Sequence, residues 1–139
     1  MSFLFDTNVL SELRRGPQAD ERVRNWNRGI GDGERFTSII VIAELMKGSA
    51  LRRSRDIAGG AILDRWISGV VAEFEGRILP IDLSTASVWA ELMAQRSRPP
   101  VDMLIAATAI GNGMTLVTRN IGDFEGTSAR VLNPWDFQG

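Results

Sequence analysis

Short apolar segments alternate along this chain with longer segments of helical periodicity, and few folds accommodate that alternation. Phe3-Leu4-Phe5 is apolar at every position and stops at Asp6, the pattern of a strand buried on both sides. Further short strands are expected at Arg35 to Thr37, at Ile78 to Ile81 with Pro80 marking its end or an edge, at Met114 to Val117 and at Arg130 to Leu132. Helices are expected between them. Thr7 to Arg15 is stopped by Gly16-Pro17, and Asp20 to Arg28 carries Val23 and Trp26 on one face. Ser38 suits the N-cap of a helix reaching about Leu51, and polar, glycine-containing Arg52 to Gly60 reads as a loop or frayed turn. Ile62, Trp66, Ile67, Val70, Val71 and Phe74 then repeat at helical spacing up to a stop at Gly76. Ser84 suits the cap of a helix with Val88, Trp89, Leu92 and Met93 on one face, broken at Arg98-Pro99-Pro100. Asp102 to Asn112 forms the last helix, ended by Gly113.

Strands alternating with helices predict an α/β fold, a mostly parallel sheet of about five short strands covered by helices on both faces. In such sheets ligands bind beyond the carboxyl ends of the strands. Asp6 and the segment after Val117 fall on that rim. The 139 residues suit one domain, 1–139, with no internal repeat.

Composition narrows the chemistry. The chain has no histidine, cysteine or tyrosine, which excludes Ser-His-Asp catalysis, thiol and tyrosine nucleophiles and ordinary zinc sites. Sixteen basic residues against seventeen acidic ones lack the signature of a dedicated nucleic-acid binder. No apolar run reaches the roughly 18 residues of a membrane span, and the first residues resemble no signal peptide. Absence of cysteine agrees with a cytoplasmic setting.

Four acidic residues stand out, each with an ordinary alternative. Asp6 ends a buried strand, or caps the helix that follows. Glu44 is the only polar residue from Ile39 to Met46, or belongs to a solvent-facing stripe with an i,i+3 contact to Lys47. Asp102 opens a helix whose positions Ala106 and Ala109 admit a close neighbour, or simply complements the helix dipole. Asp123 lies among turn residues. Together they share one logic. Carboxylates gathered at one rim raise each other's pKa, and no lysine or histidine is placed in sequence to neutralise them. A divalent cation would, and all-oxygen ligation suits Mg²⁺ or Mn²⁺. Such an ion activates water and stabilises the leaving oxygen of a phosphodiester.

These residues resemble a known family. Asp6-Thr7-Asn8-Val9-Leu10, Ala43-Glu44-Leu45, Asp102-Met103-Leu104-Ile105-Ala106-Ala107-Thr108-Ala109 and Leu116-Val117-Thr118-Arg119-Asn120 through Asp123-Phe124 resemble the PIN-domain ribonucleases. More narrowly, the chain looks like a VapC-type toxin of a bacterial type II toxin–antitoxin pair. The closing Asn133-Pro134-Trp135-Asp136 is similar to the FitB-like branch. The resemblance implies a three-layer α/β/α fold and a Mg²⁺- or Mn²⁺-dependent endoribonuclease. It puts the family's acidic positions on Asp6, Glu44 and Asp102, which would hold the metal. The fourth is Asp123 or, where several relatives carry an acid, Asn120. Thr7, Asn8, Thr118 and Asn120 would orient the carboxylates or the ion, with Ser11 a further candidate. A homodimer and a small antitoxin that binds operator DNA are also implied. Arg14, Arg15, Arg52, Arg53 and Arg55 are candidates for guiding RNA phosphates, against the ordinary reading of a solvated charged face. Trp26, Trp66 and Trp89 belong to apolar helical faces, hence to the core or an interface.

Competing readings remain. An Asp-nucleophile phosphatase of the haloacid-dehalogenase type usually carries a second Asp two residues after the first, where this chain has Asn8. An RNase H-like nuclease begins with antiparallel strands, and this chain lacks hairpin signals. A catalytically silent binding or regulatory module would keep the acidic pocket without cleavage.

Overall fold

A computed structural model describes all residues, 1–139. Five strands form one sheet: β1 (Phe3–Phe5), β2 (Arg35–Ser38), β3 (Ile78–Leu79), β4 (Thr115–Val117) and β5 (Val131–Leu132). Their order is β3-β2-β1-β4-β5, and all four pairings are parallel. The antiparallel opening of an RNase H-like sheet is absent. The first three crossovers carry helices, α1 (Thr7–Leu13) and α2 (Glu21–Arg28), α3 (Ile39–Arg53) and α4 (Ile57–Glu73), then α5 (Leu83–Gln95) and α6 (Pro100–Gly111), while β4 and β5 are joined through a 3₁₀ turn over Ile121–Phe124.

The strand pleat decides what packs where. Phe3 and Phe5 point to one face of β1, where Trp26 of α2 lies 5.4 Å from each ring and Phe74, just past α4, lies 6.1 Å from Phe5. Leu4 points to the other face, which α5 and α6 cover by the right-handed crossover rule. The three layers therefore follow from apolar strands that must be covered twice. Trp26 is core as expected, while Trp66 and Trp89 are half-buried against it.

Several expected boundaries shift. α1 ends at Leu13 because Gly16-Pro17-Gln18 form their own 3₁₀ turn. Asp82, not Ser84, caps α5, its side chain accepting from the Thr85 amide. α6 begins at Pro100, so Asp102 sits within its first turn. The expected loop from Arg52 to Gly60 is mostly helix: α3 runs through Arg53, and Asp56 caps α4 at once. β3 stops before Pro80, which cannot donate to the ladder.

Strand order reverses direction between β1 and β4. Crevices in open parallel sheets form at such a switch point. Here it is bounded by Asp6, whose amide donates to the Val117 carbonyl at 3.0 Å, and by Thr118.

Candidate acidic site

Asp6 performs both roles its position allowed. Its Oδ1 accepts from the Thr7 amide at 2.7 Å, capping α1. Its Oδ2 accepts from Thr118 Oγ1 at 2.8 Å and, more weakly, from Asn8 Nδ2 at 3.4 Å. Asn8 is a spacer across the switch point: Nδ2 donates to Thr118 Oγ1 at 3.0 Å, and Oδ1 accepts from the Arg119 amide at 3.1 Å. The Asn120 amide also donates to Thr118 Oγ1. Thr118 is wholly buried and Asp6 is 5% exposed, so one carboxylate is fixed by a network with little freedom.

Glu44 is half-buried on α3 and accepts from Thr7 Oγ1 at 2.7 Å. That contact turns it toward Asp6, and the i,i+3 ion pair with Lys47 that the alternative reading expected does not form. Asp102 is half-buried in the first turn of α6. Ala106 and Ala109 are fully buried, so the close approach they permit is used by the protein's own core. Asp123 is exposed, in a 3₁₀ turn over Ile121–Phe124 that the buried Phe124 ring anchors.

The four carboxylates share one electrostatic neighbourhood. Burial is the main force raising the Asp6 carboxyl above its ordinary value. The Thr118 and Thr7 hydrogen bonds oppose it, while Glu44 and Asp123 add to it. Asp102 is raised by burial first, then by Asp6, Asp123 and Glu44. No lysine or arginine is among the groups acting on either carboxyl. Asp123 acts on both, whereas Asn120 brings no charge. No three acidic side chains stand close enough to share one ion directly. The expected trio of Asp6, Glu44 and Asp102 is thus brought together as a field, not as a closed ligand shell. Mg²⁺ ordinarily takes only one or two carboxylates and fills the rest of its octahedron with water, so the donor set fits such an ion.

The five candidate arginines separate. Arg15 pairs with Glu12, Arg52 with Asp56 and Arg53 with Asp64, all on the surface. Arg55 has no ion pair. Arg14 lies over the Trp66 ring at 5.7 Å, beside a cavity of about 270 Å³ that Thr7, Ser11 and Glu44 also line. Of the five, Arg14 alone shares a cavity with one of the four acids, Glu44. Sequence reasoning missed Arg98, whose contacts beyond Asp123 carry no spacing signal, and Arg119, whose guanidinium lies 5.0 Å from the Trp135 ring.

Known proteins share this architecture. The PIN domain model matches residues 3–127. Toxin FitB of Neisseria gonorrhoeae is 34% identical over 137 residues, covering 95% of this chain and 97% of FitB. VapC ribonuclease Y4jK of Sinorhizobium fredii is 33% identical over 141 residues, covering 96% and 97%. The crystal structure of FitAcB from Neisseria gonorrhoeae matches with a TM-score of 0.87 at 33% identity, over 97% of this chain and 99% of that one. FitAB bound to the IR36 DNA fragment matches at 0.84 and 32% identity, over 99% and 98%. The chain belongs to the PIN-domain family, on the FitB-like branch of its VapC-type members.

Proposed function

We propose that this chain is a Mg²⁺- or Mn²⁺-dependent endoribonuclease acting as the toxin of a toxin–antitoxin pair. The observation that carries the reading is the uncompensated acidic rim: Asp6, Glu44, Asp102 and Asp123 come to one edge of the sheet, burial and the neighbouring acids raise the Asp6 and Asp102 carboxyls from their ordinary value, and no protein cation acts on either. A divalent ion held by Asp6 and Asp102, with Glu44 and Asp123 reaching it through water, would supply Lewis-acid activation of water and stabilisation of the leaving oxygen.

The protein's own part is placement. Thr118, Asn8 and the Thr7 amide fix both oxygens of Asp6, and Thr7 Oγ1 fixes Glu44, so the acidic edge is ordered before substrate arrives. Arg14, free of a carboxylate partner, offers its guanidinium to the RNA backbone beside Glu44. Asn8 stands two residues after Asp6 where the phospho-aspartate route uses a second Asp, and its side chain is engaged with Thr118 and the Arg119 amide, which speaks against that route. The relatives' names, a toxin and a ribonuclease, and a FitAB complex on DNA support an antitoxin partner that binds operator DNA. A homodimer and a cytoplasmic setting belong to the same reading. No helix is long and apolar enough to cross a membrane.

The test uses protein purified away from any co-expressed partner and incubated with a mixed RNA pool in Mg²⁺, Mn²⁺ or EDTA. Asp6→Asn and Asp102→Asn run beside it. Cleavage is expected only with metal and is expected to fall at least about 100-fold in each variant. Asp6→Asn cleaving at the wild-type rate in Mg²⁺ overturns the mechanism. Folded protein that binds a cognate antitoxin yet cleaves nothing in any arm makes it a silent module.

A further inference from the structure

Arg98 is the only buried cation of the chain, 8% exposed, and no carboxylate pairs with it. Its Nη1 donates to the Glu125 carbonyl at 3.0 Å and its Nη2 to the Gly126 carbonyl at 3.4 Å, while its buried Nε has no partner. Burying an unpaired charge is costly, and an orphaned donor adds to that cost. Two bonds to neutral carbonyls do not make this an efficient way to stabilise a fold.

What the arrangement does accomplish is a connection. Arg98 stands in the connector between α5 and α6, two residues before the helix whose first turn holds Asp102. The carbonyls it grips lie two and three residues beyond Asp123. One planar fork therefore joins the segment bearing Asp102 to the turn bearing Asp123. Gly126 has φ +77°, a left-handed conformation that favours glycine, and it is this turn that presents the Glu125 and Gly126 carbonyls to the guanidinium. Both hydrogen bonds that Arg98 makes to this turn go to backbone carbonyls, so its hold on the turn is on backbone position. Exposed Arg96 also donates to the Glu125 carbonyl, at 3.0 Å, and provides an internal control for a surface contact to the same atom.

We propose that Arg98 is a positioning residue of the ribonuclease site, setting the Asp123 turn against the Asp102 helix through the Glu125 and Gly126 carbonyls. The inference rests on the reading under Proposed function. Its test is a double-mutant cycle with two readouts, kcat/KM for RNA cleavage and Mn²⁺ affinity by calorimetry. Arg98→Ala, Arg98→Lys and Arg96→Ala are compared in wild-type and Asp123→Asn backgrounds, with the melting temperature of each. Arg98→Ala is expected to lower both readouts roughly tenfold in the wild-type background, as removal of an orienting partner does. Arg98→Lys should restore only part, having one point charge where the fork had two donors. Arg96→Ala should stay within about twofold of wild type. In the Asp123→Asn background Arg98→Ala should cause no further loss, although its melting temperature falls as before. Equal losses in both backgrounds would reduce Arg98 to a structural clasp and sink the proposal. If Arg98→Ala does not fold, Arg98→Lys carries the same comparison. Wild type that binds Mn²⁺ without cleaving RNA defeats the ribonuclease reading, while the Mn²⁺ arm still decides Arg98. Wild type that does neither defeats both.

Discussion

Asp6 illustrates how one residue serves fold and site at once. As an N-cap it stabilises α1; as a buried carboxylate it works against the fold. The direction with pH follows from its shift. A carboxyl raised in the folded state binds its proton more tightly there than in the unfolded chain, so its contribution to stability falls as pH rises above the ordinary value of 3.8. Asn caps a helix as well as Asp does and carries no charge. Asp6→Asn is therefore expected to melt higher than wild type at pH 7. The gap should close near pH 3, where wild-type Asp6 is neutral too; calorimetric melting at both values checks it. Equal melting at pH 7 would mean that Thr118 and Thr7 fully offset the burial. Asp6 and Glu44 stood out in sequence as acids set against apolar runs, and Asp102 as the acid opening a helix with Ala106 and Ala109 on its face. Thr7 was legible only as a neighbour of Asp6, since its grip on Glu44 spans 37 positions that no local pattern links. Arg98 was illegible because an arginine before two prolines looks like a helix break and nothing more.

The elements themselves were readable wherever periodicity governed and misread where a glycine served packing. Gly59-Gly60 made Arg52 to Gly60 look like loop, yet Gly60 lies in the first turns of α4, pressed against α3. A Cβ at Gly60 would sit 2.7 Å from Arg53 Cβ and 2.8 Å from Arg53 Cα. Ser49 Oγ donates to the Gly60 carbonyl, so the two helices meet at backbone distance. The glycine is thus what allows the helix pair, not what interrupts it. Gly60→Ala should destabilise by about 2 kcal/mol through overpacking, against its better helix propensity. Gly48 of α3 has nothing within 4 Å of an added Cβ, and Gly48→Ala should stabilise by about 0.5–1 kcal/mol. Urea unfolding of the pair checks both signs, and a stabilising Gly60→Ala would refute the close-approach account. Parallel pairing was legible in the strand–helix alternation. Sheet order was not, because it is fixed by long-range contacts that leave no mark on any one segment.

At the scale of the whole molecule, a net charge of −1 conceals a local excess. Strand order places the switch point between β1 and β4, and the connections bring α3, α6 and the turn after β4 to the same edge. Four acids from separate elements converge there, while most arginines pair with other acids on the surface or with backbone carbonyls. Folding therefore does work against repulsion at one rim, and a divalent cation bound there should return it as stability. A ligand that binds only the folded state at a hundred times its Kd contributes about 2.7 kcal/mol. Saturating Mn²⁺ is thus expected to raise the wild-type melting temperature by several degrees, and chelation with EDTA to reverse the gain. Asp6→Asn and Asp102→Asn, each already relieved of part of the repulsion, should begin higher at neutral pH and gain little from the ion. The two effects have opposite signs in the same variants, which separates loss of a ligand from general damage to the fold. Mn²⁺ raising all three proteins equally would place the ion elsewhere and leave the acidic rim without its proposed purpose.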